Sequence, residues 1–366
     1  MKLRLLILFL IVTAGAQAQI HQRIHQKDRT IIGIPIADID SVTNIAGTKT
    51  IRYKDATSES FQINTIDSIT HAVPVTNNLY TFISGVDSIS QFKAGIDRGI
   101  LNPFPYALSG NYTALIPENS ILNAYGVNPS NLTEGANNYI FSYHTIVGKF
   151  NTADFPSGEN VKYYTANFPA DSVFVTKTSN NIYVNGCRIN PNSNQINIQA
   201  SNGVAHLVED FLFPPGLDIY SEIQRTGRNY DSLKLLVDRA AIADPKIVDT
   251  LKSTVLTLLA PRNSAFATFL TSSGIGSIKN ITPTGALSIL RDHMLIGRKF
   301  LINIVLATNP PGTGSKSYGG GNLLFSNIGG NFGSIYYKAN AAVPLANFDL
   351  MHENGVIQPI SGILTK

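Results

Sequence analysis

The chain carries a second, diverged copy of its own central part, and this constrains its fold more than any local motif. The octet TALIPENS at residues 113–120 returns as TLLAPRNS at 257–264, with Thr, Leu, Pro, Asn and Ser all matched at a shift of 144. Upstream, FKAGIDR (92–98) answers LKLLVDR (233–239) at 141. Downstream, YHTIVGKF (143–150) answers DHMLIGRKF (292–300), with the His and Gly at 149, and NGVAHLVEDFL from Asn202 answers NGVIQPISGIL from Asn354 at 152. The order never changes and the shift only creeps upward, as small loop insertions between fixed elements would produce. Two tandem domains of one fold are therefore expected, over 76–215 and 216–366, each large enough for its own apolar core.

The blocks also read physically. SLKLLVDRAAIAD places Leu233, Leu236, Val237 and Ala240 on one helical face, so a helix packed on a sheet is expected. STVLTLLAP reads as a buried strand that ends at Pro261, as its counterpart ends at Pro117, because proline cannot donate to a ladder. Asn119 and Asn263, each followed by Ser, have side chains suited to capping the helix that starts there. Asn202-Gly203 and Asn354-Gly355 read as tight turns into a closing strand, with glycine supplying a positive φ. His144 and His293 fall at the join of a helix and a strand, where each imidazole is expected to be a structural hydrogen-bonder tying that join.

An apolar strand running into LLAPRNSAF, a helix ending near Tyr143-His144, and the terminal NGVAHLV and NGVIQPI together resemble the fasciclin-like domain of secreted and cell-surface adhesion proteins. The resemblance covers both repeats. Gln358 stands where the family usually has His, which the first copy keeps as His206, and the first copy reads IPENSIL at its own first motif. The resemblance implies an α+β fold, a twisted β-sandwich with a group of helices packed at one end. It also implies adhesion without catalysis. In animal relatives the Tyr-His neighbourhood is associated with integrin binding, so Tyr143 and His144, with Asp292 and His293 at the equivalent place, are the candidate binding residues. Only the first copy has the Tyr-His pair, and adhesive activity is expected to depend more on that copy.

Ahead of the repeats, residues 1–18 have a basic start (Lys2, Arg4), an apolar run over 5–12 and Ala16-Gln17-Ala18, the order of a cleavable signal peptide. Cleavage would leave Gln19 first, with no cysteine for a lipid anchor and no other run long enough to span a bilayer. Secreted, periplasmic or cell-surface placement follows. Residues 19–75 form a small β-rich segment containing IDSVT and IDSIT, a pattern resembling amino-terminal pieces of secreted Bacteroidetes proteins. It is expected to be a strand pair on the first domain or a spacer. His21 and His25 could share a helical face, but no third metal ligand accompanies them.

Other chemistry finds little support. Cys187 is the only cysteine, so no internal disulfide is available, and no histidine-partnered motif surrounds it. Lys and Arg number 28 against 24 Asp and Glu, without a basic stripe, so nucleic acid is not an expected partner. No G-x-S-x-G, H-E-x-x-H or Walker loop occurs, and the glycine-rich run at 310–322 reads as an exposed hairpin loop. There is no Trp for sugar stacking, though Tyr163-Tyr164 and Tyr336-Tyr337 could substitute. The reading is a non-enzymatic surface-interaction protein without cofactor or metal, whose partner is a surface protein or an envelope polysaccharide. The alternative is a polysaccharide-binding accessory of the cell envelope.

Overall fold

A computed structural model describes residues 21–28, 31–35, 38–72, 77–99, 110–166, 171–306, 315–328, 331–337, 340–342 and 348–365. The expected signal peptide over 1–18 and its expected cleavage point lie outside them. Two compact units divide between Asn78 and Leu79.

The first unit holds two three-stranded antiparallel sheets. One orders Ile31–Pro35, His21–Gln26 and Ile66–Ala72 with His21–Gln26 central, and the other orders Ile39–Ile45, Thr48–Tyr53 and Ser58–Gln62. Ile24, Ile34, Ile51 and Phe61 form its core. This is more than the expected strand pair, because His21–Gln26 joins the sheet as its middle strand. His21 and His25 accordingly sit on a strand and not on a helix.

The second unit contains both repeats, and the α+β expectation holds. In the first repeat one sheet orders Ile198–Ala200, Gly203–Val208, Tyr112–Pro117 and Thr145–Val147. A second orders Cys187–Arg188, Ile182–Val184, Ser172–Lys177 and Gly158–Tyr164. The second repeat repeats both: Met294–Ile296, Leu256–Pro261, Gly355–Ile360 and Leu350–His352 in one sheet, Ser315–Lys316, Asn322–Ile328, Asn331–Tyr337 and Asn340–Ala342 in the other. Helices cover one face. Helix Asp231–Ala243 buries the four residues its periodicity selects, Leu233, Leu236, Val237 and Ala240, against Leu256, Leu258 and Ile357 of the sheet. Burying each of the leucines and the valine this way contributes roughly 1.5–3 kcal/mol.

In each repeat the strand ending in proline pairs in parallel with the closing strand, Tyr112 beside Gly203 and Leu256 beside Gly355. The two glycines serve this approach and not a positive φ, correcting the turn reading. A Cβ on Gly203 would collide with the Tyr112 carbonyl oxygen, and one on Gly355 with that of Leu256. Where it is described, the glycine-rich run forms the expected hairpin, with Lys316, Tyr318 and Gly320 exposed and Ser317 buried. Ser315–Lys316 pairs with Leu323 and Asn322, Gly319 N–H donates to Arg291 O, and Ser317 Oγ donates to Asp292 Oδ1. This part is a turn fastened to a helix end.

Candidate functional site

The repeated asparagines tie helix starts to distant parts of the chain. Asn263 does not cap its own helix, Asn263–Ser273, which has no side-chain cap. Its Oδ1 accepts from Ser232 N–H at 2.9 Å and its Nδ2 donates to Asp231 at 2.8 Å, so it caps helix Asp231–Ala243 from a distance. Asn119 does the same in the first repeat, accepting from Gln91 N–H (2.9 Å) and donating to Asp87 O (2.9 Å) and Ser90 Oγ (3.0 Å). Asn202 and Asn354 cap two further helix starts, accepting from Leu79 N–H (2.8 Å) and Ile219 N–H (2.9 Å). In every case a short amide side chain satisfies an N–H that the first helical turn leaves without a partner.

The four candidate binding residues are also interior. Tyr143 and His144 are 0 % exposed, Asp292 and His293 1 %. Tyr143 Oη donates to Ser172 O (3.0 Å) and accepts from Asn185 Nδ2 (2.7 Å). His144 Nδ1 donates to Leu115 O (2.8 Å) and His293 Nδ1 to Ile289 O (2.9 Å), which leaves each Nε2 as an acceptor. Leu364 N–H fills that role for His293 at 3.0 Å. The Nε2 of His144 is buried without a hydrogen-bond partner among the described residues. Burial pushes both imidazoles down to about 4, so they are neutral at pH 7. A partner approaching from solvent touches none of the four, and the expectation of direct contact is corrected on that ground.

The replacement of His206 by Gln358 is explained by shared geometry. His206 Nε2 donates to Phe150 O at 2.9 Å while Nδ1 accepts from Asn197 N–H at 3.2 Å. Gln358 Nε2 donates to Lys299 O at 3.3 Å while Oε1 accepts from Asp349 N–H at 2.9 Å. One donor and one acceptor at the same spacing suffice. Asn197 and Asp349 are themselves equivalent, with φ of 54° and 57°. Each offers Oδ1 to a backbone N–H, of Thr152 at 2.8 Å and Leu301 at 2.7 Å.

The two repeats meet through polar and apolar contacts that sequence reasoning did not single out. Buried Asn303 donates to Thr176 Oγ1 (2.9 Å) and Glu159 (3.3 Å), and Asn160 Nδ2 donates to Arg298 O (2.7 Å). The Arg298 guanidinium lies 4.6 Å from the Phe174 ring centroid and donates to the carbonyls of His352 (3.0 Å), Glu353 (3.0 Å) and Gly355 (2.6 Å). Phe174 packs on Phe300, Met351 and Val356 of the other repeat. Nothing short-range marks these residues, since even the carbonyls that Arg298 meets within its own repeat lie more than fifty positions away.

Beside this contact is a cavity of about 400 Å³, walled by both repeats. Tyr125, Phe211, Phe213 and Phe348 supply aromatic surface, and Asp210, Glu222, Arg225, Arg228 and Asp349 supply charge. Among the described residues no group of three or more His, Cys, Asp or Glu could hold a metal ion, and no helix is long and apolar enough to cross a membrane. Cys187, in the cavity wall, is buried, and desolvation raises its thiol well above the usual range. Tyr163 and Tyr164 lie on strand Gly158–Tyr164, Tyr164 exposed and stacked under Lys162. Tyr336 and Tyr337 end strand Asn331–Tyr337.

A family model described as the fasciclin domain matches residues 90–214 and 236–366, more than half of the chain. Among solved structures, the FAS1 domain pair from the insect cell adhesion molecule fasciclin I is similar at 16% identity over 76% of this chain and 97% of that one, with a TM-score of 0.38. No curated protein matches.

Proposed function

Because this chain belongs to the fasciclin domain family over both of its repeats, we propose that it is a secreted or cell-surface interaction protein without catalytic activity, whose partner is a surface protein. One observation carries the reading. The repeated pairs Thr113 and Thr257, Asn119 and Asn263, His144 and His293, and Asn202 and Asn354 are all committed to internal hydrogen bonds, so these shared positions build the scaffold and leave recognition to the outer surface, where the repeats differ. The contacts of buried Asn303 with Thr176 and of Arg298 with Asn160 and Phe174 join the repeats and let a partner meet two modules in a fixed relation, so that two weak contacts reinforce each other. The signal-like residues 1–18 and the resemblance of IDSVT and IDSIT to Bacteroidetes secreted proteins support export. Domains at 19–75, 76–215 and 216–366 are part of the same proposal.

A specific observation favours the polysaccharide alternative as a second reading: the exposed Tyr164 offers a ring face of the kind that sugars stack on. Beads carrying the full chain should adhere to envelope preparations from the source cell. Loss of adhesion after protease treatment of the envelope supports a protein partner, and loss only after polysaccharide depolymerisation supports the alternative. Failure to adhere to either would sink both, and turnover of any ester, glycoside or peptide in a hydrolase screen would remove the non-catalytic reading.

A further inference from the structure

The junction cavity has the build of a small-molecule site. Its volume of about 400 Å³ falls within the roughly 300–1,000 Å³ typical of such sites, which are mostly apolar with a few placed polar groups. The aromatic wall is continuous. Phe213 stands edge-on to both Tyr125 and Phe211, with centroids 5.2 and 4.9 Å away. Phe213 and Phe348 remain 41% and 44% exposed although both are large and apolar. Leaving such rings in water forgoes burial energy that a ligand would recover.

The charges at the cavity select among apolar ligands. Glu222 is buried and held by two arginines, Arg225 Nη1 to Oε2 at 3.0 Å and Arg228 Nε to Oε1 at 3.1 Å, so the trio carries one net positive charge. The opposing carboxylates are occupied. Asp210 Oδ1 accepts from Phe211 N–H at 2.7 Å, and the Asp210 side chain also takes a hydrogen bond from Tyr125. Asp349 Oδ1 accepts from Leu301 N–H and Gln358 Nε2. His352 donates its Nδ1 proton to Leu217 O, and burial lowers its pKa. The trio thus carries a surplus guanidinium with half its surface open, while the Asp210 carboxylate is turned to the neutral donors Phe211 N–H and Tyr125.

We propose that this cavity binds a small amphipathic carboxylic acid, its hydrocarbon body against Tyr125, Phe211, Phe213 and Phe348 and its carboxylate on Arg225 and Arg228. The planar guanidinium matches a carboxylate through paired N–H donors, which an ammonium or hydroxyl headgroup cannot use. This site is independent of the adhesive reading and would remain if the partner experiment failed.

Calorimetric titration of the full chain with decanoate, kept below its aggregation threshold, tests the assignment against 1-decanol and decylamine. Decanoate should bind at one site per chain, and the alcohol and amine at least about tenfold more weakly. Arg225→Gln leaves Glu222 paired with Arg228 and removes only the surplus charge. It should weaken decanoate by about tenfold and leave 1-decanol unchanged, whereas Phe213→Ala should weaken both. No decanoate binding by the folded wild-type chain overturns the proposal. So does decanoate binding that Arg225→Gln leaves intact, or equal binding of all three probes, since the cavity would then be blind to charge.

Discussion

Replacing Asp349 by Asn should stabilise the protein at neutral and alkaline pH, and the repeat itself supplies the precedent, because the equivalent position is Asn197. Burial pushes the Asp349 carboxyl up from 3.8 to about 7, against the lowering effect of hydrogen bonds from Gln358 and Leu301 and with some help from Asp210. In the folded chain the acid holds its proton until about pH 7, while the unfolded chain releases it near 3.8. Between those values the folded state binds more protons, so stability falls as pH rises and the whole cost is present above pH 7. At about 1.4 kcal/mol per pKa unit the full shift corresponds to about 4 kcal/mol. Asp349 keeps partial solvent contact as a residue although its carboxyl is enclosed, so a realised gain of about 2–3 kcal/mol is the better figure. Asn retains the Oδ1 that accepts from Leu301 and Gln358, and its Nδ2 takes the place of the protonated oxygen. Urea unfolding of wild type and Asp349→Asn at pH 5 and pH 8 separates the effects. The variant should gain at pH 8 and far less at pH 5. Equal gains at both pH values, or a loss at pH 8, would refute the burial argument.

The buried imidazoles run the opposite way. His144 and His293 titrate near 4 when folded and 6.5 when unfolded, so their stabilising contribution is full above 6.5 and is lost as pH falls towards 4. Each is worth up to about 3 kcal/mol on an acid titration followed by circular dichroism, and His293→Gln should flatten the slope between pH 6.5 and 4. Asn263→Ala should cost about 1–2 kcal/mol in chemical denaturation, with Asn263→Asp recovering part of it, because Oδ1 is the capping atom for Ser232. Gly355→Ala should destabilise by more than about 3 kcal/mol, since its methyl meets a backbone oxygen that cannot swing aside. Tyr143→Ala should unfold or severely destabilise the first repeat by about 3–5 kcal/mol in thermal melts, through an interior cavity and a stranded Asn185.

Much of the architecture is legible because it is written twice. The shift between copies, the face of Asp231–Ala243 and the strand stops at Pro117 and Pro261 rest on local pattern, and the structure places all three as local pattern dictates. The asparagines show where that reading ends. Asn119 and Asn263 have the chemistry of caps, but the helices they cap begin about thirty residues earlier, a pairing that only the packed chain reveals. The Asn-Gly pairs deceive in the same way, since their glycines answer to a backbone nearly a hundred residues upstream. Asp349 could have been found by extending the alignment of the copies by one block, to Asn197. Arg298 and the cavity could not, because their partners belong to different repeats.

The parallel pairing of first and last strands governs when each repeat can form. Leu256–Pro261 lies in the middle of its sheet, yet the neighbour that completes it, Gly355–Ile360, follows it in the chain by nearly a hundred residues. Tyr112–Pro117 waits in the same way for Gly203–Val208. Contacts this distant in sequence incur a large loop-closure entropy before returning any energy, which slows folding. A nascent chain therefore stays open until each closing strand arrives. The delay makes Gly355–Ile360 a checkpoint: a chain cut short of Gly355 keeps its second core unsealed while the first is complete.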